Sequence, residues 1–327
     1  MNKALLNEAR ALLGAAQRIL VAGHVRPDGD AIGSVLGLGM ALEAQGKAVQ
    51  MVLADGVSSS MKFIPGSDRI VTKASGEFDL VVALDTGDLE RLGTAIPAGR
   101  AIDLNIDHHP TNTLYGRLNL VDPQAAAVAE ILAQHLPDLG LAFTPEVRAA
   151  LLTGLLTDTI GFRTPNTRPG TLRLAADLLE GGAPLAHLYF EALTKRTFSS
   201  VRLWGQALGK VKLADGIVWA TISREDARAA GYSGRDDADL VNWLASVAES
   251  EIALVLVQQD DETVKVSWRA EDGADVAQVA VQFGGGGHVA ASGAVVKGNL
   301  LEVEERVLKA TAAILTERLQ NPNTESL

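Results

Sequence analysis

The 327-residue sequence contains no cysteine, so it can form neither disulfide bonds nor thiolate metal sites. It also lacks any apolar run of the roughly 18 residues that a bilayer span needs. The first twenty residues place acids and arginines in an amphipathic pattern, which predicts a helix of the mature protein rather than a signal peptide. Together these features favour a soluble cytoplasmic protein with no membrane partner.

The chain also has fewer cationic than anionic side chains. The chain has 29 lysines and arginines against 40 aspartates and glutamates, a formal net charge of −11. A large basic footprint for duplex DNA is therefore excluded, because such binding depends on many contacts between cationic side chains and phosphates. Any nucleic-acid substrate of this protein should be small.

The order of apolar patterns predicts an α/β protein. Buried-strand runs alternate with helical segments along the first third of the chain, and these runs are RILVAGH, AVQMVLA, DLVVALD and AIDLNIDHH. That alternation is typical of a parallel sheet with crossover helices. Helical patterns dominate from Pro123 to about Gly182, and short alternating strands such as IVWATIS and TVKVSWRA follow. We therefore expect a second, smaller domain of mixed α/β structure.

Chain length supports two domains, because 327 residues exceed what one compact core usually serves. The pattern changes predict a catalytic domain over 1–185, a linker over 186–200, a second domain over 201–320 and a disordered tail over 321–327.

Four aspartates lie where predicted strands give way to loops. Asp28 and Asp30 follow the first strand, whereas Asp85 and Asp107 end two later ones. The carboxyl ends of parallel strands form the usual ligand crevice of such sheets. Each aspartate alone could be a helix cap, and Asp28 or Asp30 could start a helix from Ala31. Together, however, the carboxylates would repel one another, and a bound metal ion is the simplest relief.

Histidines are concentrated at the same strand ends. His24, His108 and His109 are three of only six histidines in the chain. Their nitrogen donors favour manganese or another transition ion over calcium, and leave magnesium open. His24 alone could be a structural histidine, whereas the adjacent pair after Asp107 favours a functional role.

A further carboxylate, Asp158, lies in the nearly uncharged helical segment AALLTGLLTDTIGF. Burial of an unpartnered carboxylate is costly, so Asp158 should meet a cation, a salt bridge or hydrogen bonds. The alternatives are a metal ligand in the same crevice, an N-cap, or an ion pair with Arg163.

The segment FGGGGHVAASGA carries four consecutive glycines, which allow the backbone to approach a ligand closely. His288 follows these glycines, and Arg269 on the preceding strand offers further donors to a phosphate. A tight loop between helix and strand is the structural alternative. The GxG of GLGMALEAQG lies within a predicted helix and is attributed to packing rather than to a nucleotide fingerprint.

Five motifs in order resemble those of the DHH phosphoesterase family. HVRPDGDAIGS, ALDTGDLERLG, DHHPTN and LLTDTIGFRTPNT resemble its four successive motifs, and FGGGGHVAASGA resembles the glycine-rich motif of its usual C-terminal domain. The resemblance runs from residue 24 to about 294 and is strongest to the NrnA branch, the nanoRNases that also dephosphorylate 3′-phosphoadenosine 5′-phosphate. It implies an N-terminal parallel-sheet DHH domain with flanking helices, a smaller mixed domain, and an active site in the cleft between them. Trp268 and Ala270 depart from the residues that often flank the equivalent of Arg269.

The same resemblance implies a role for each site residue. It places one manganese ion on His24, Asp28 and Asp85, and a second on Asp30, Asp85, His108 and Asp158, with magnesium or cobalt as substitutes. Gly29, between the first two aspartates, would let Asp30 turn towards the second ion. Two such ions can activate a hydroxide and stabilise the leaving oxyanion. His109 would bind or protonate a phosphoryl oxygen, and Asp107 would orient a histidine. The implied substrate contacts are His109, Arg163, Arg269, Gly285, Gly286, Gly287 and His288.

Three functional hypotheses follow from the sequence. The leading one is a manganese-dependent hydrolase of oligonucleotides of two to five residues and of 3′-phosphoadenosine 5′-phosphate. Such an enzyme would not bind duplex DNA. The enzymatic alternatives hydrolyse cyclic or linear dinucleotides, or pyrophosphate. The remaining alternative is a non-catalytic nucleotide-binding protein. A homodimer remains open under each hypothesis.

Overall fold

The computed structural model describes residues 1–270 and 274–320, with backbone alone at His288 and 317–320. The chain divides into two compact units, Met1–Lys195 and Arg196–Leu327. This boundary falls inside the segment 186–200 that the sequence analysis assigns to a linker, and much of that segment is helical. The expected tail over 321–327 lies outside the described residues.

The first unit is built on a sheet of five parallel strands in the spatial order β2-β1-β3-β4-β5. The strands are β1 (Arg18–Ala22), β2 (Ala48–Val52), β3 (Leu80–Leu84), β4 (Leu104–Asp107) and β5 (Leu118–Val121). The first four confirm the predicted strands, whereas β5 was not predicted. Its sequence, LNLV, has only four residues, of which Asn119 is polar, and it pairs with β4 in the register Leu104↔Leu118.

Helices cover this sheet and carry part of the site. They are α1 (Lys3–Ala15), α2 (Gly29–Glu43), α3 (Val128–His135), α4 (Pro145–Asp158), α5 (Pro169–Glu180) and α6 (Leu185–Tyr189), with a π-helical turn at Phe190–Thr194. Only α2 forms a helical crossover between consecutive strands of this sheet; 3₁₀ turns and loops make the other described connections. The helices that the sequence predicts between Pro123 and Gly182 are confirmed.

Glycines let α2 approach its neighbours closely. A Cβ atom on Gly33 would lie 2.4 Å from the carbonyl oxygen of Ala150, and one on Gly39 would lie 2.3 Å from the sulfur of Met51. Real Cβ atoms do not approach other atoms so closely, so a larger residue at Gly33 would displace the backbone of α4, and one at Gly39 would displace the Met51 side chain. The packing interpretation of the GLGMALEAQG glycines is therefore confirmed at Gly39.

The second unit holds a mixed sheet of six strands in the order β10-β11-β9-β8-β7-β6. Its strands are β6 (Lys212–Ala214), β7 (Ile217–Ile222), β8 (Ile252–Gln258), β9 (Thr263–Ala270), β10 (Gly286–His288) and β11 (Ala291–Lys297). Its helices are α7 (Phe198–Leu208), α8 (Arg224–Ala230), α9 (Leu240–Leu244), α10 (Val276–Gln282) and α11 (Leu300–Gln320). The predicted fold class, a parallel-sheet domain followed by a mixed α/β domain, is confirmed. Among the helices described in both units, none has the length and apolar character that a membrane span requires.

Candidate metal centre

The strand order places the site of the first unit. The chain runs from β1 to β2 on one side and then returns to β3 on the other, so the crevice at the carboxyl ends of β1 and β3 is a topological switch point. His24 and Asp28 follow β1, Asp85 follows β3, and His108 follows β4. The structure therefore confirms that these strand ends converge, as predicted.

His24, Asp28 and Asp85 form one group. The Nε2 atom of His24 lies 3.8 Å from Oδ2 of Asp28 and 3.5 Å from Oδ2 of Asp85. Its Nδ1 atom lies 2.8 Å from the carbonyl oxygen of Val25, which fixes the ring with Nε2 towards the carboxylates. Metal-binding histidines are commonly held in this way, with one nitrogen bonded to a carbonyl and the other facing the ion.

Asp30, His108 and Asp158 form a second group. The Nε2 atom of His108 lies 3.5 Å from Oδ2 of Asp158 and 3.6 Å from Oδ1 of Asp85. Its Nδ1 atom lies 3.2 Å from the carbonyl oxygen of Ala125, which repeats the arrangement of His24.

In each group, one potential ligand atom from every residue lies within 4.8 Å of the corresponding atoms of the other two residues. The same is true of a third group, which consists of Asp85, His108 and His109. Asp85 therefore connects the groups, with Oδ2 towards His24 and Oδ1 towards His108. The side chain is buried, and its backbone adopts a left-handed conformation with φ of 55°. A non-glycine residue is strained there, and such strain is concentrated at functional sites.

Asp28 is both a helix cap and a member of the first group. Its Oδ1 atom accepts hydrogen bonds of 3.0 Å from the backbone N–H groups of Asp30 and Ala31, so α2 begins at Gly29 rather than at Ala31. Its Oδ2 atom faces His24. The two interpretations considered for this residue are compatible because each uses a different oxygen.

Asp30 is held by a distant helix. The N–H groups of Val128 and Ala129 donate to its carboxylate at 2.7 and 2.9 Å, and the Ser34 hydroxyl donates at 3.1 Å. Asp30 thus caps the N-terminus of α3, where no local side chain forms a cap. No local sequence pattern predicts this contact, because the two partners are 98 and 99 residues away from Asp30.

Gly29 has a different role from the one expected. The expected role was backbone freedom that lets Asp30 turn towards the second ion, but Gly29 is the first residue of α2 and has no positive φ. A Cβ atom there would lie 2.4 Å from the side chain of Thr157 on α4. Close packing of α2 against α4 therefore requires this glycine.

The charges of the site are poorly balanced without a cation. Burial and the negative charge of Asp85 raise the pKa of Asp30 to about 7. Burial and the charges of Asp30 and Asp85 also raise the pKa of Asp158. For His24, burial opposes protonation, but pairing with Asp28 and Asp85 outweighs it and raises the pKa to about 10. A crowded set of carboxylates that holds protons in this way is suited to a multivalent cation.

Asp158 is the last residue of α4, which rules out the N-cap alternative. No ion pair joins it to Arg163 within the part of the chain that the structure describes, and its side chain instead faces His108 of the second group. Arg163 is exposed. Its expected contact with substrate stays a prediction.

Asp107 orients His109. Its Oδ1 atom lies 2.8 Å from Nδ1 of His109, and its Oδ2 atom accepts a hydrogen bond of 2.5 Å from the side chain of Asn112. Burial opposes ionisation of Asp107, but the bonds from His109 and Asn112 lower its pKa. Asn112 also donates to the carbonyl oxygen of Thr86. Asn112 was not among the predicted site residues, although it is the last residue of the motif DHHPTN.

The glycine-rich segment of the second unit forms an edge strand and not only a loop. Gly286–His288 make up β10, which pairs with β11. A Cβ atom on Gly285 would lie 2.2 Å from the Gly293 carbonyl oxygen, and one on Gly287, which has φ of 144°, would lie 2.5 Å from that of Ala291. A Cβ atom on Gly286 would meet nothing within 4 Å. Packing therefore explains Gly285 and Gly287, whereas Gly286, like Gly284, has open space where a Cβ atom would lie.

Arg269 lies in the same part of this sheet. The register places His288 opposite Ala291 and Ala291 opposite Arg269, so these three backbones lie side by side across β10, β11 and β9. The Arg269 guanidinium donates from Nε to the side-chain oxygen of Asn242 and from Nη1 to the carbonyl oxygen of Trp268, both at 2.8 Å. Asn242 was not among the predicted site residues.

Comparisons with known proteins agree with this architecture. Residues 18–156 match the DHH family N-terminal domain, and residues 218–317 match the DHHA1 domain. The bifunctional oligoribonuclease and PAP phosphatase NrnA of Thermus thermophilus is 40% identical over 304 residues, which cover 91% of this chain and 90% of that protein. This chain belongs to the DHH phosphoesterase family.

One further relative and one solved structure are similar to this DHH protein in sequence and in fold, respectively. NrnA of Bacillus subtilis is 28% identical over 281 residues, covering 84% of this chain and 88% of that protein. The crystal structure of an exopolyphosphatase-related protein from Bacteroides fragilis has the same fold, with a TM-score of 0.86 at 24% identity over 97% of each chain. The DHH protein described here is accordingly an enzyme that hydrolyses phosphoesters.

Proposed function

We propose that this DHH enzyme hydrolyses oligonucleotides of a few residues to mononucleotides and removes a phosphate from 3′-phosphoadenosine 5′-phosphate. The names of the Thermus and Bacillus relatives, oligoribonuclease and PAP phosphatase, support these substrates, and the former relative matches almost the whole chain. The net charge of −11 supports short substrates, because a long strand needs an extended cationic track. We place the activity in the cytoplasm, where these substrates arise.

We further propose that the enzyme binds two divalent ions, preferably manganese, with magnesium or cobalt as substitutes. The observation that carries this proposal is the sharing of Asp85 between two groups of histidine and carboxylate ligands. One ion would be held by His24, Asp28 and Asp85, and the other by Asp30, Asp85, His108 and Asp158. Mixed imidazole and carboxylate donors suit manganese better than calcium. When bound, such ions supply a hydroxide at neutral pH and neutralise the leaving oxygen.

The remaining residues would orient the substrate. Asp107 holds Nδ1 of His109, so this ring is positioned to contact or protonate a phosphoryl oxygen through Nε2. Arg269 carries further guanidinium donors beyond those that bind Asn242 and Trp268, and these suit a phosphate. The open face of Gly286 would admit the same ligand, and His288 would contribute as the family resemblance implies.

The test is a substrate panel with the purified full-length chain. A dinucleotide, 3′-phosphoadenosine 5′-phosphate, cyclic di-AMP and pyrophosphate would each be assayed with Mn²⁺, Mg²⁺ and a chelator. We expect metal-dependent turnover of the first two and much slower turnover of the others. Preference for the cyclic dinucleotide or for pyrophosphate would overturn the proposed substrates, and full activity in the chelator would overturn the metal requirement.

A further inference from the structure

Glu130 is a buried carboxylate that lies outside the candidate metal groups. It is on α3 and only 4% exposed. One of its oxygens accepts a hydrogen bond of 2.6 Å from the backbone N–H of Ala126, and the other accepts one of 2.8 Å from the Thr171 hydroxyl. Arg168 lies 3.6 Å away at the protein surface. Glu130 therefore connects α3, the turn before it and the start of α5.

The turn that Glu130 holds supplies contacts to two residues of the second group. The Ala125 carbonyl oxygen lies 3.2 Å from Nδ1 of His108. The N–H groups of Val128 and Ala129, three and four residues further on, hold the carboxylate of Asp30. One short segment thus positions both a histidine and a carboxylate, and Glu130 holds the backbone N–H of Ala126 between these contacts.

We propose that Glu130 is a positioning residue for the Asp30–His108–Asp158 group and has no equivalent effect on the His24–Asp28–Asp85 group. This inference rests on the proposed function, because it takes both groups to be metal sites. The physical reason is reach: the glutamate side chain spans the first turn of α3 back to Ala126, whose N–H would otherwise be buried without a partner. If this hydrogen bond were lost, the segment would relax, and the carbonyl of Ala125 and the N–H groups that donate to Asp30 would move with it.

Two substitutions separate reach from charge. Glu130→Gln keeps the length and one acceptor oxygen for Ala126 but loses the charge, and the Thr171 hydroxyl can turn to accept from the new amide. Glu130→Asp keeps the charge but is one methylene too short. Metal binding to each stripped full-length protein would be measured by titration calorimetry with Mn²⁺, together with stoichiometry by elemental analysis. Asp158→Asn identifies the binding step of the second group, and Asp177→Asn, an exposed carboxylate on α5, is the matched control.

We expect Glu130→Gln and the control to bind two equivalents with affinities within about threefold of wild type. Glu130→Asp should lower the Mn²⁺ affinity of the same binding step that Asp158→Asn weakens. The loss should be at least about tenfold, which is the usual effect of removing a residue that supports a metal ligand. The affinity of the other step should not change. The inference is overturned if Glu130→Asp retains both affinities, if it loses both ions together, or if Glu130→Gln is the defective variant. Wild-type protein that binds fewer than two equivalents would instead refute the two-ion proposal, so the two failures are distinguishable.

Discussion

The charge on His24 can be tested without metal. Its pKa is about 10 in the folded, metal-free protein, because pairing with Asp28 and Asp85 outweighs burial, whereas an unfolded histidine titrates near 6.5. The folded state therefore binds one more proton than the unfolded state between these values. Stability from this proton is fully present below about pH 6.5 and is lost as pH rises towards 10.

The size of the effect follows from linkage. Each pH unit over which one extra proton is bound changes the free energy of unfolding by about 1.4 kcal/mol, so the loss between pH 7 and pH 9 should be roughly 2.5 kcal/mol. For a unit of 195 residues this corresponds to a decrease in Tm of about 5 to 10 °C.

The assay compares chelator-stripped wild type with stripped His24→Asn by thermal unfolding at pH 7, 8 and 9. Groups outside the site titrate equally in both proteins and cancel in the difference, which then reports His24 together with the site carboxylates that its charge affects. We expect the Tm advantage of wild type at pH 7 to shrink by about 5 to 10 °C at pH 9. A difference that stays constant across this range would show that His24 is not charged in the metal-free site, and the electrostatic argument for a cation would fail with it.

Three further results are expected. Asp85→Asn, which keeps the size and tolerates the left-handed backbone, should weaken binding of both ions at least about a hundredfold and abolish turnover; near-normal activity in saturating Mn²⁺ would refute the shared ligand. Gly287→Ala should lower the free energy of unfolding by about 2 kcal/mol or more, whereas Gly286→Ala should change it by less than about 0.5 kcal/mol, and equal melting curves would contradict the packing argument. Arg269→Lys should raise KM for a dinucleotide about tenfold while two metal equivalents are retained, and loss of metal would place Arg269 elsewhere in the mechanism.

The sequence was informative wherever function depends on topology. Apolar runs located four parallel strands, and parallel strands end at one edge of a sheet, so the aspartates and histidines after those runs had to converge. The pattern failed for β5, because LNLV has only four residues and its short apolar pattern is interrupted by Asn119. Its polar member Asn119 contacts Asn105 on β4, a pairing that periodicity does not reveal.

Long-range contacts mark the limit of what the sequence predicted at the site. Asp30 is bonded to Val128, 98 residues away, and Glu130 to Thr171, 41 residues away. No local pattern indicates either pair, because each depends on how α2, α3 and α5 pack. Glycine was misjudged for a related reason: at Gly29 the sequence suggested conformational freedom, whereas the structure shows close contact with Thr157.

A carboxylate has two oxygens, so the same residue can cap a helix and face a metal ion. Asp28 uses one oxygen for the start of α2 and turns the other towards His24. Asp30 goes further, since both of its oxygens accept N–H groups from α3 while the carboxylate still lies within the second group. Each oxygen has a second lone pair, and the positive end of a helix favours the ionised form that a metal ion needs. The helix caps thus hold the ligands in place, and the fold and the site depend on the same hydrogen bonds.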